Sequence, residues 1–317
     1  MLHRIIIFFF LLLLSVSAYA DALPRPALHM PLSKKAIFLD IEIHKDKIYA
    51  VGERGIILRS KDQGESWDQV SSPVDVTLTG VTFSSDNEGW IVGHESTILH
   101  SSDGGDSWAI KRYKPEEERF YMEVKFFTPM QGYVLATDGE LWQTEDGGKS
   151  WNLTILSVEE WYQNHLFSIE QLGDSALIVA ERGGVFHSKN GHSSWLPVPS
   201  PYEGSYFGVS KINDNFLLYG MSGQVYLLNS MSLEWSKIDV GTDQFLLSSA
   251  STQGNEYEII VGRGGTVLFI NKEGRLLKKI ERKSRTDYSA VAIKGDNVYL
   301  ASMAGGIEKA SINNLLK

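Results

Sequence analysis

One short pattern recurs seven times along this chain, and it limits the possible folds more than any other feature. Its fullest copy is GWIVGHESTILHSSDGGDSW, residues 89–108. The segment that runs from a strand into the following turn aligns among the copies at residues 51–60, 92–101, 135–144, 179–188, 219–228, 261–270 and 301–310. Successive copies begin 40 to 44 residues apart. This period is typical of a four-stranded propeller blade, whereas the shortest two-helix repeats have periods of about 34 residues.

Each repeat contains short strand signals separated by turn residues. In the second repeat the signals are residues 78–83, 90–92, 97–100 and a last strand that opens at Trp108, and Ser, Asp, Asn and Gly fill the turns between them. After the N-terminal apolar run, the pattern never reaches helical length. The sequence therefore predicts an all-β fold, one seven-bladed β-propeller of four-stranded antiparallel blades that occupies residues 21–317.

The last repeat has only three strand signals, at residues 288–293, 297–303 and 306–312. The segment 21–35 precedes the first strand of the first repeat and is available to supply the missing outer strand. We expect residues 26–32 to pair with residues 306–311, which would close the ring and remove an open sheet edge. Pro24, Pro26 and Pro31 are tolerable there because an outermost strand bonds along one edge only.

The first twenty residues predict a cleaved secretory signal. His3 and Arg4 precede an apolar run at residues 5–14, and Ala18-Tyr19-Ala20 forms a small-residue cleavage site before Asp21. A run of ten apolar residues is too short to cross a bilayer, which takes roughly 20 residues. We expect a periplasmic or secreted, monomeric chain with no membrane-spanning segment after cleavage of residues 1–20.

Composition excludes several kinds of function. The chain has no cysteine, so disulfides, thiol catalysis and thiolate zinc sites are excluded. A formal net charge of −9 argues against nucleic acid, because phosphate neutralisation needs a basic surface. The histidines are not grouped, and no glycine-rich loop stands between a strand and a helix. We therefore expect neither a metal nor a cofactor.

The turn between third and fourth strands carries the box SxDxGxxW in the first two repeats and TxDxGxxW in the third. A short carboxylate accepts hydrogen bonds from its own turn, glycine adopts positive φ, and the indole fills space between blades. The box is therefore interpreted as structural. Its residues are Ser60, Asp62, Gly64 and Trp67, then Ser101, Asp103, Gly105 and Trp108, then Thr144, Asp146, Gly148 and Trp151.

This box is the Asp-box of bacterial neuraminidase repeats, and the longer unit GWIVGHESTILHSSDGGDSW resembles a blade of the photosystem II stability and assembly factor family and its relatives in non-photosynthetic bacteria. The resemblance covers most of the mature chain and is strongest in the first three repeats. It implies a non-catalytic, secreted or lumenal propeller that binds membrane-protein subunits during assembly. Because nothing else in the sequence suggests photosynthesis, only this mode of action is carried over.

Strand direction sorts the loops into two faces. The Asp-boxes lie on one face, and the turns after second strands lie on the other with the connections between blades; we call the latter the second-strand face. It is predicted to carry Arg54, Arg182 and Arg263, on repeats one, four and six, and its long connections bring Tyr113, Trp161, Tyr162 and Tyr202.

An arginine fork holds a carboxylate through two hydrogen bonds, and aromatic residues on loops are common interface anchors. These residues are therefore candidates for docking an acidic peptide of a protein partner, the extracytoplasmic part of a membrane protein. Two structural alternatives stay open. In the first, each arginine forms an ion pair with a neighbouring carboxylate such as Glu53 or Glu181. In the second, the aromatic rings pack the connections onto the blades.

Two other functions remain as alternatives. A sialidase-like glycoside hydrolase shares the Asp-box and would enlist the three arginines together with Tyr206, Glu203 and Asp138. Such enzymes have six blades, and the sequence shows no local catalytic signature, so we expect no catalytic residues. The third candidate is a structural subunit of a cell-envelope machine. The hypothesis favoured by the sequence is a non-catalytic protein-binding propeller that acts as an assembly, stability or accessory factor for a membrane protein complex.

Overall fold

The computed structural model describes residues 23–159, 161–189, 194–282 and 284–317. The predicted signal peptide, residues 1–20, lies outside the described residues and stays a prediction. Within the described ranges, no helix combines the length and the hydropathy that crossing a membrane requires.

Seven antiparallel sheets follow one another, each built from consecutive strands. Blades 1 to 3 contain Phe38–His44, Lys47–Gly52, Ile57–Ser60 and Asp68–Val70; Leu78–Phe83, Gly89–Gly93, Thr97–Ser101 and Ala109–Arg112; and Tyr121–Phe126, Gly132–Ala136, Glu140–Thr144 and Asn152–Ile155. Blades 4 to 6 contain Leu166–Leu172, Ser175–Ala180, Val185–Ser188 and Leu196–Pro197; Tyr206–Ile212, Asn215–Gly220, Val225–Asn229 and Trp235–Ile238; and Leu246–Ser251, Tyr257–Gly262, Thr266–Asn271 and Leu276–Glu281. Blade 7 contains Tyr288–Lys294, Asn297–Ser302 and Ile307–Ser311. The predicted all-β, seven-bladed propeller is confirmed.

The few helical elements are short. The α-helix Ile312–Leu316 follows the last strand, and its Leu315 is buried among the apolar side chains of blades 6 and 7. Single 3₁₀ turns occur at Ser33–Lys35, Glu53–Gly55, Pro115–Glu117, Met221–Gly223, Gln253–Asn255 and Arg263–Gly265.

Burial falls from the middle of each blade to its outer edge. The second strands Gly89–Gly93 and Gly132–Ala136 are buried at every position, because neighbouring blades cover both of their faces. A strand in this situation carries apolar side chains in succession instead of in alternation. The fourth strand Asn152–Ile155 is exposed at every position. The fourth strands therefore form the rim of the propeller, and the first strands line its central channel.

The N-terminal segment does not complete blade 7, so the predicted pairing of residues 26–32 with residues 306–311 is wrong. Blade 7 has three strands in the described part of the chain. The segment lies instead beside the outer strand of blade 1, where the Gln69 side chain donates to Leu28 O (2.8 Å) and accepts from Met30 N (2.9 Å). Ala27 N donates to Ser72 O at 3.0 Å. Because its three prolines have no N–H to donate, the segment is poorly suited to a strand ladder.

Blade 7 closes the ring by packing directly on blade 1. The Tyr299 ring is fully buried at this seam, and its hydroxyl donates to Gln63 O at 3.0 Å. The ring lies so close to the Asp-box turn of blade 1 that a Cβ added to Gly64 would be 2.7 Å from it. The Ser289 hydroxyl donates to Phe38 O across the same seam. Side-chain packing thus takes the place of the closing strand.

The same aromatic contact recurs between the next two pairs of blades. Tyr49 of blade 1 lies against Gly105 of blade 2, and Trp90 of blade 2 lies against Gly148 of blade 3, with added Cβ atoms 2.6 and 2.3 Å from the rings. Tyr49 also donates its hydroxyl hydrogen to Gly104 O at 2.6 Å. Each of these Asp-box turns is therefore the surface on which the preceding blade packs.

The Asp-box carboxylates hold their own turns. Asp103 accepts hydrogen bonds from the Ser101 hydroxyl (2.7 Å) and from the Ser107 hydroxyl (2.6 Å) and backbone N–H (2.9 Å). These bonds, with that from the Ser107 hydroxyl the strongest, lower the pKa of Asp103 to about 2. Asp62 and Asp146 make the equivalent bonds, and the pKa of each is also about 2. All three carboxylates are bound within their turns and are charged at neutral pH.

Replacement of Tyr299 tests whether blade packing closes the ring. We expect Tyr299→Ala to lower the free energy of unfolding by about 3 to 5 kcal/mol, because it empties the buried space at the seam. Tyr299→Phe keeps the ring, loses one hydrogen bond, and is expected to cost about 1 kcal/mol. Urea denaturation measures both. A wild-type stability for Tyr299→Ala would show that another contact closes the ring.

Candidate functional site

One hydrogen bond recurs at all seven turns of the second-strand face. The first residue of each turn donates its backbone N–H to the carbonyl oxygen of the residue just before the first strand of the same blade, at 2.8 to 3.1 Å. The pairs are Glu53–Ile37, His94–Thr77, Thr137–Phe120, Glu181–His165, Met221–Ser205, Arg263–Phe245 and Met303–Asp287. Equivalent residues of different blades therefore occupy equivalent places on this face.

In six of the seven turns, all but that of blade 7, the second residue has a left-handed backbone. Its φ is 54° at Arg54, 56° at Asp138 and 53° at Arg182. The residue that follows Arg182 must be glycine, because a Cβ on Gly183 would lie 2.2 Å from the backbone oxygen of Tyr202 in the next connection. The turns are thus packed tightly against the connections, and their second residues form the tips.

The three candidate arginines have different surroundings. Arg54 is exposed and makes a long 3.9 Å ion pair with Glu53. The guanidinium of Arg182 lies over the rings of Tyr162 (4.4 Å) and Trp161 (5.7 Å), and that of Arg263 lies over Phe245 (4.9 Å). Within the described ranges, no carboxylate lies within ion-pair distance of Arg182 or Arg263. The arginines of blades 4 and 6 are held by aromatic faces.

The carboxylate nearest to Arg182 in the sequence is bound elsewhere. Glu181 accepts a hydrogen bond from the Tyr162 hydroxyl (2.8 Å) and another from His165 N (2.9 Å). Tyr162 therefore joins the two residues, with its hydroxyl on Glu181 and its ring under Arg182. Trp161 is 72% exposed at the edge of this cluster, which leaves a large apolar surface free beside the guanidinium.

The other two predicted aromatic residues serve their own blades. Tyr113 donates its hydroxyl hydrogen to Glu95 at 2.6 Å. Tyr202 packs beside Tyr206 and Tyr226 and donates to Met221 O at 3.2 Å. The packing alternative therefore describes Tyr202. The structure brings Arg182, Trp161 and Tyr162 together and leaves the remaining candidates on separate blades.

The position of Tyr206 argues against the hydrolase alternative, which needs this residue as its nucleophile. Tyr206 is fully buried, and burial raises its pKa far above the usual range of a tyrosine. Its hydroxyl lies 3.0 Å from the Ser200 hydroxyl instead of facing a cleft. Arg54, Arg182 and Arg263 lie on three different blades and do not form one carboxylate pocket. Among the described residues, no three potential metal ligands are grouped around a common point.

A ring of side chains at the mouth of the central channel was not anticipated from the sequence. The first strand of every blade has a register shift after its first residue, so one residue per blade bulges out of the ladder. Such bulges re-aim side chains. The seven bulged residues line the channel, and we call them the collar: Leu39, Thr79, Met122, Phe167, Phe207, Leu247 and Ser289.

The collar is mainly apolar and lies on the second-strand face. Phe167 and Phe207 are edge-on at 5.5 Å, and Phe207 lies 5.7 Å from Phe245, the ring that carries Arg263. A continuous aromatic row therefore connects the channel mouth with one of the candidate arginines. The signal in the sequence was a second apolar residue after a buried one at the start of a first strand, as in Leu166-Phe167 and Tyr206-Phe207.

The whole channel has a volume of about 560 Å³. Below the collar its lining becomes polar, and polar side chains there connect neighbouring blades. Asp40 of blade 1 accepts from Val81 N of blade 2 (2.8 Å), and Glu123 of blade 3 accepts from Ile169 N of blade 4 (2.8 Å). Glu170 lies 3.3 Å from Lys211 and 4.0 Å from Lys125. The channel walls are thus tied by charged groups, while the mouth offers apolar surface.

Burial controls the protonation of the channel carboxylates. It raises the pKa of Glu42 to about 7, with a further rise from the charge of Asp40. Burial also raises the pKa of Glu123 to about 7, although Lys125 opposes the effect. These groups change charge near neutral pH.

Comparison with protein families now identifies the chain. A model of the family described as photosynthesis system II assembly factor YCF48 matches residues 65–124 and 111–295. The chain belongs to this family. The two matches together span most of the propeller, from the end of blade 1 to the first strand of blade 7, and include blade 6, in which the Asp-box is lost. A comparison with curated protein sequences gave no match.

Solved structures of the YCF48 family have the same fold. One described as YCF48 bound to D1 peptide superimposes with a TM-score of 0.70 at 19% identity, over 92% of this chain and 99% of that chain. YCF48 from Cyanidioschyzon merolae gives 0.70 at 16% identity, over 90% and 98%. The WD40 propeller domain of Doa1 gives 0.67 at 13% identity, over 90% and 95%. These likenesses show the propeller fold.

The raised pKa values predict how stability changes with pH. An unfolded glutamate loses its proton near its ordinary pKa of 4.5, whereas folded Glu42 and Glu123 keep theirs up to about pH 7. The folded state alone holds these protons between the two values, so stability falls as pH rises from 4.5 to 7. We expect Glu42→Gln and Glu123→Gln each to remove about 3 kcal/mol of this fall.

Thermal unfolding at pH 5 and at pH 8 measures the effect. Glutamine keeps the oxygen that accepts from Ile169 N, so the channel wall remains bonded at position 123. Glu273→Gln, on an exposed turn, is the matched control and should leave the difference between the two pH values unchanged. An unchanged difference in the channel variants as well would contradict the assignment.

Proposed function

We propose that this chain is a non-catalytic, extracytoplasmic propeller that binds an acidic segment of a membrane protein on its second-strand face. It acts there as an assembly or stability factor, as a monomer. The extracytoplasmic location rests on the signal sequence at residues 1–20. The assembly role is supported by membership of the YCF48 family, and a peptide ligand is supported by the relative whose structure is described as bound to D1 peptide.

The observation that carries the proposal is the placement of Arg182 and Arg263 on aromatic faces. A guanidinium stacked on a ring keeps its N–H edge free, and that edge matches the two oxygens of a carboxylate. Stacking also fixes the orientation of the side chain, so less conformational entropy is lost when a ligand binds. Both arginines are therefore prepared to accept a carboxylate.

The backbone at two of the arginines places them at the tips of their turns. Arg54 and Arg182 adopt left-handed φ angles, which cost a non-glycine residue about 1 kcal/mol or more. Gly264 has the equivalent position in blade 6 with no such cost. The same backbone recurs at the second residue of the turns in blades 2, 3 and 5, so it belongs to the turn and presents the arginine side chains at its tip.

The collar supplies the apolar part of the proposed site. Interfaces combine a central apolar anchor with a polar rim, and most of the binding energy comes from the anchor. Here the half-buried collar residues Phe167 and Phe207 stand at the centre of the face, and the arginines stand on the turns around them. A partner segment with an apolar side chain flanked by carboxylates fits this arrangement.

Charge reversal of the three arginines tests the proposed face. We expect Arg54→Glu, Arg182→Glu and Arg263→Glu together to weaken capture of the membrane-protein partner at least about tenfold in crosslinking in cells, because they turn attraction into repulsion. Phe207→Ala should also weaken capture, since it removes the central ring of the collar.

The chain offers a matched control on the opposite face. Lys61, Lys189 and Lys272 follow the third strands of the same three blades, and all three are exposed. Their replacement by glutamate makes the same change in net charge and should leave capture unchanged. Equal capture by the arginine variant and the wild type would reject the second-strand face. Loss of capture in both triple variants would show an effect of net charge alone.

A further inference from the structure

A groove on the side of the propeller, between blades 2 and 3, has the composition of a second binding site. It has a volume of about 680 Å³ and lies between the outer strand of blade 2 and the third strand and Asp-box turn of blade 3. We call it the side groove. Its cationic lining is Lys111, Arg112, Lys114 and Lys149, and its aromatic lining includes Trp142 and Trp151.

The charge of the side groove is opposite to that of the whole chain. Four cationic side chains line it against one carboxylate, Glu116, whereas the chain has a formal net charge of −9. Glu116 is 3.3 Å from Lys114. Within the described ranges, Lys111 and Lys149 have no carboxylate at ion-pair distance, and both are exposed. Two free cations therefore face the groove.

Arg112 serves the groove by holding its aromatic wall. Its guanidinium bonds to Glu117 (2.5 Å) and to the Tyr121 hydroxyl (2.9 Å) and lies 4.8 Å from the centre of the Trp142 ring. The Trp142 N–H donates to Glu140 at 3.1 Å. Trp142 is therefore clamped on its face and at its edge, so the wall is rigid before any ligand binds.

The apolar wall continues along the rim of blade 3. Leu153 is directly opposite Trp142 in the strand ladder, and Ile155 is two residues further on the same side. Their exposed fractions are 45% and 48%, which is high for such side chains. The groove thus has an exposed apolar wall on blade 3 and, in the described part of the chain, one unpaired lysine from each of the two blades.

We propose that the side groove binds an extended acidic segment of a protein, with alternating carboxylate and apolar side chains. Side chains of an extended chain point alternately to opposite sides, so carboxylates can face Lys111 and Lys149 while leucines face Trp142 and Leu153. A recess between two blades admits an extended chain but excludes the flat surface of a bilayer. Leu23 and Pro24 of this chain also line the groove.

This site is separate from the arginines and the collar, so one propeller would hold two segments at once. The proposal does not depend on the function proposed for the second-strand face. Reversal of Arg54, Arg182 and Arg263 is expected to leave binding at the side groove intact, and reversal of Lys111 and Lys149 is expected to leave the collar intact. Each site can therefore be tested, and rejected, without affecting the other.

Fluorescence anisotropy with a labelled seven-residue peptide of alternating glutamate and leucine tests the side groove. We expect the purified protein to bind this peptide, and to bind peptides with lysine for glutamate or serine for leucine at least about tenfold more weakly. Lys111→Glu with Lys149→Glu should weaken binding about tenfold or more, as should Trp142→Ala. Lys189→Glu with Lys272→Glu is the control of equal charge and should bind as the wild type does.

Several results would overturn the proposal. Binding that is equal in the Lys111→Glu, Lys149→Glu variant and the wild type would place the peptide elsewhere. Binding of the lysine peptide as tight as that of the glutamate peptide would remove the role of charge. If the same lysine pair controls binding to vesicles with anionic headgroups while the peptide does not bind, the groove recognises lipid. A dimer that the lysine variant abolishes would make the occupant a second copy of this chain.

Discussion

The seam of the ring and the next two blade interfaces depend on the contact between an aromatic ring of one blade and a glycine in the Asp-box turn of the next. At the seam of the ring the pair is Tyr299 and Gly64, and no closing strand stands beside it in the described part of the chain. A flat ring against a glycine excludes any Cβ and fixes the distance between blades. The Asp-box carboxylate orders the turn, and the turn then serves as the surface on which the preceding blade packs.

Closure of the ring gives the second-strand face its properties. Because one hydrogen bond is repeated in all seven blades, equivalent residues of distant repeats occupy equivalent positions on the same face. The bulge at the start of each first strand then turns one side chain into the channel mouth, and Phe167 and Phe207 meet there. Arg182 lies over rings supplied by a connection between blades, and Arg263 lies over the ring of the residue just before a first strand. The site is a product of the ring, and an isolated blade would not contain it.

Much of the fold could be predicted because a 40 to 44 residue period and glycine-rich turns are local signals of a blade. The prediction of a closing strand was wrong because the Gln69 side chain bonds the N-terminal segment to blade 1, and strand patterns in the sequence do not reveal this contact. The second-strand face and its arginines were named from the repeat register. The side-chain contacts of these arginines were not predicted, because Glu181 binds Tyr162 instead of Arg182. The collar was missed because a bulge is a feature of the backbone.

The central claim is that the second-strand face contacts a protein partner. Photocrosslinking in cells tests it most directly, with a photoreactive amino acid placed at Ser222, an exposed turn tip on that face, and separately at Asn87, an exposed turn residue on the Asp-box face. The account predicts a crosslink to one membrane protein from position 222 and none from position 87. The same crosslink from position 87 alone would contradict it and would place the partner on the opposite face.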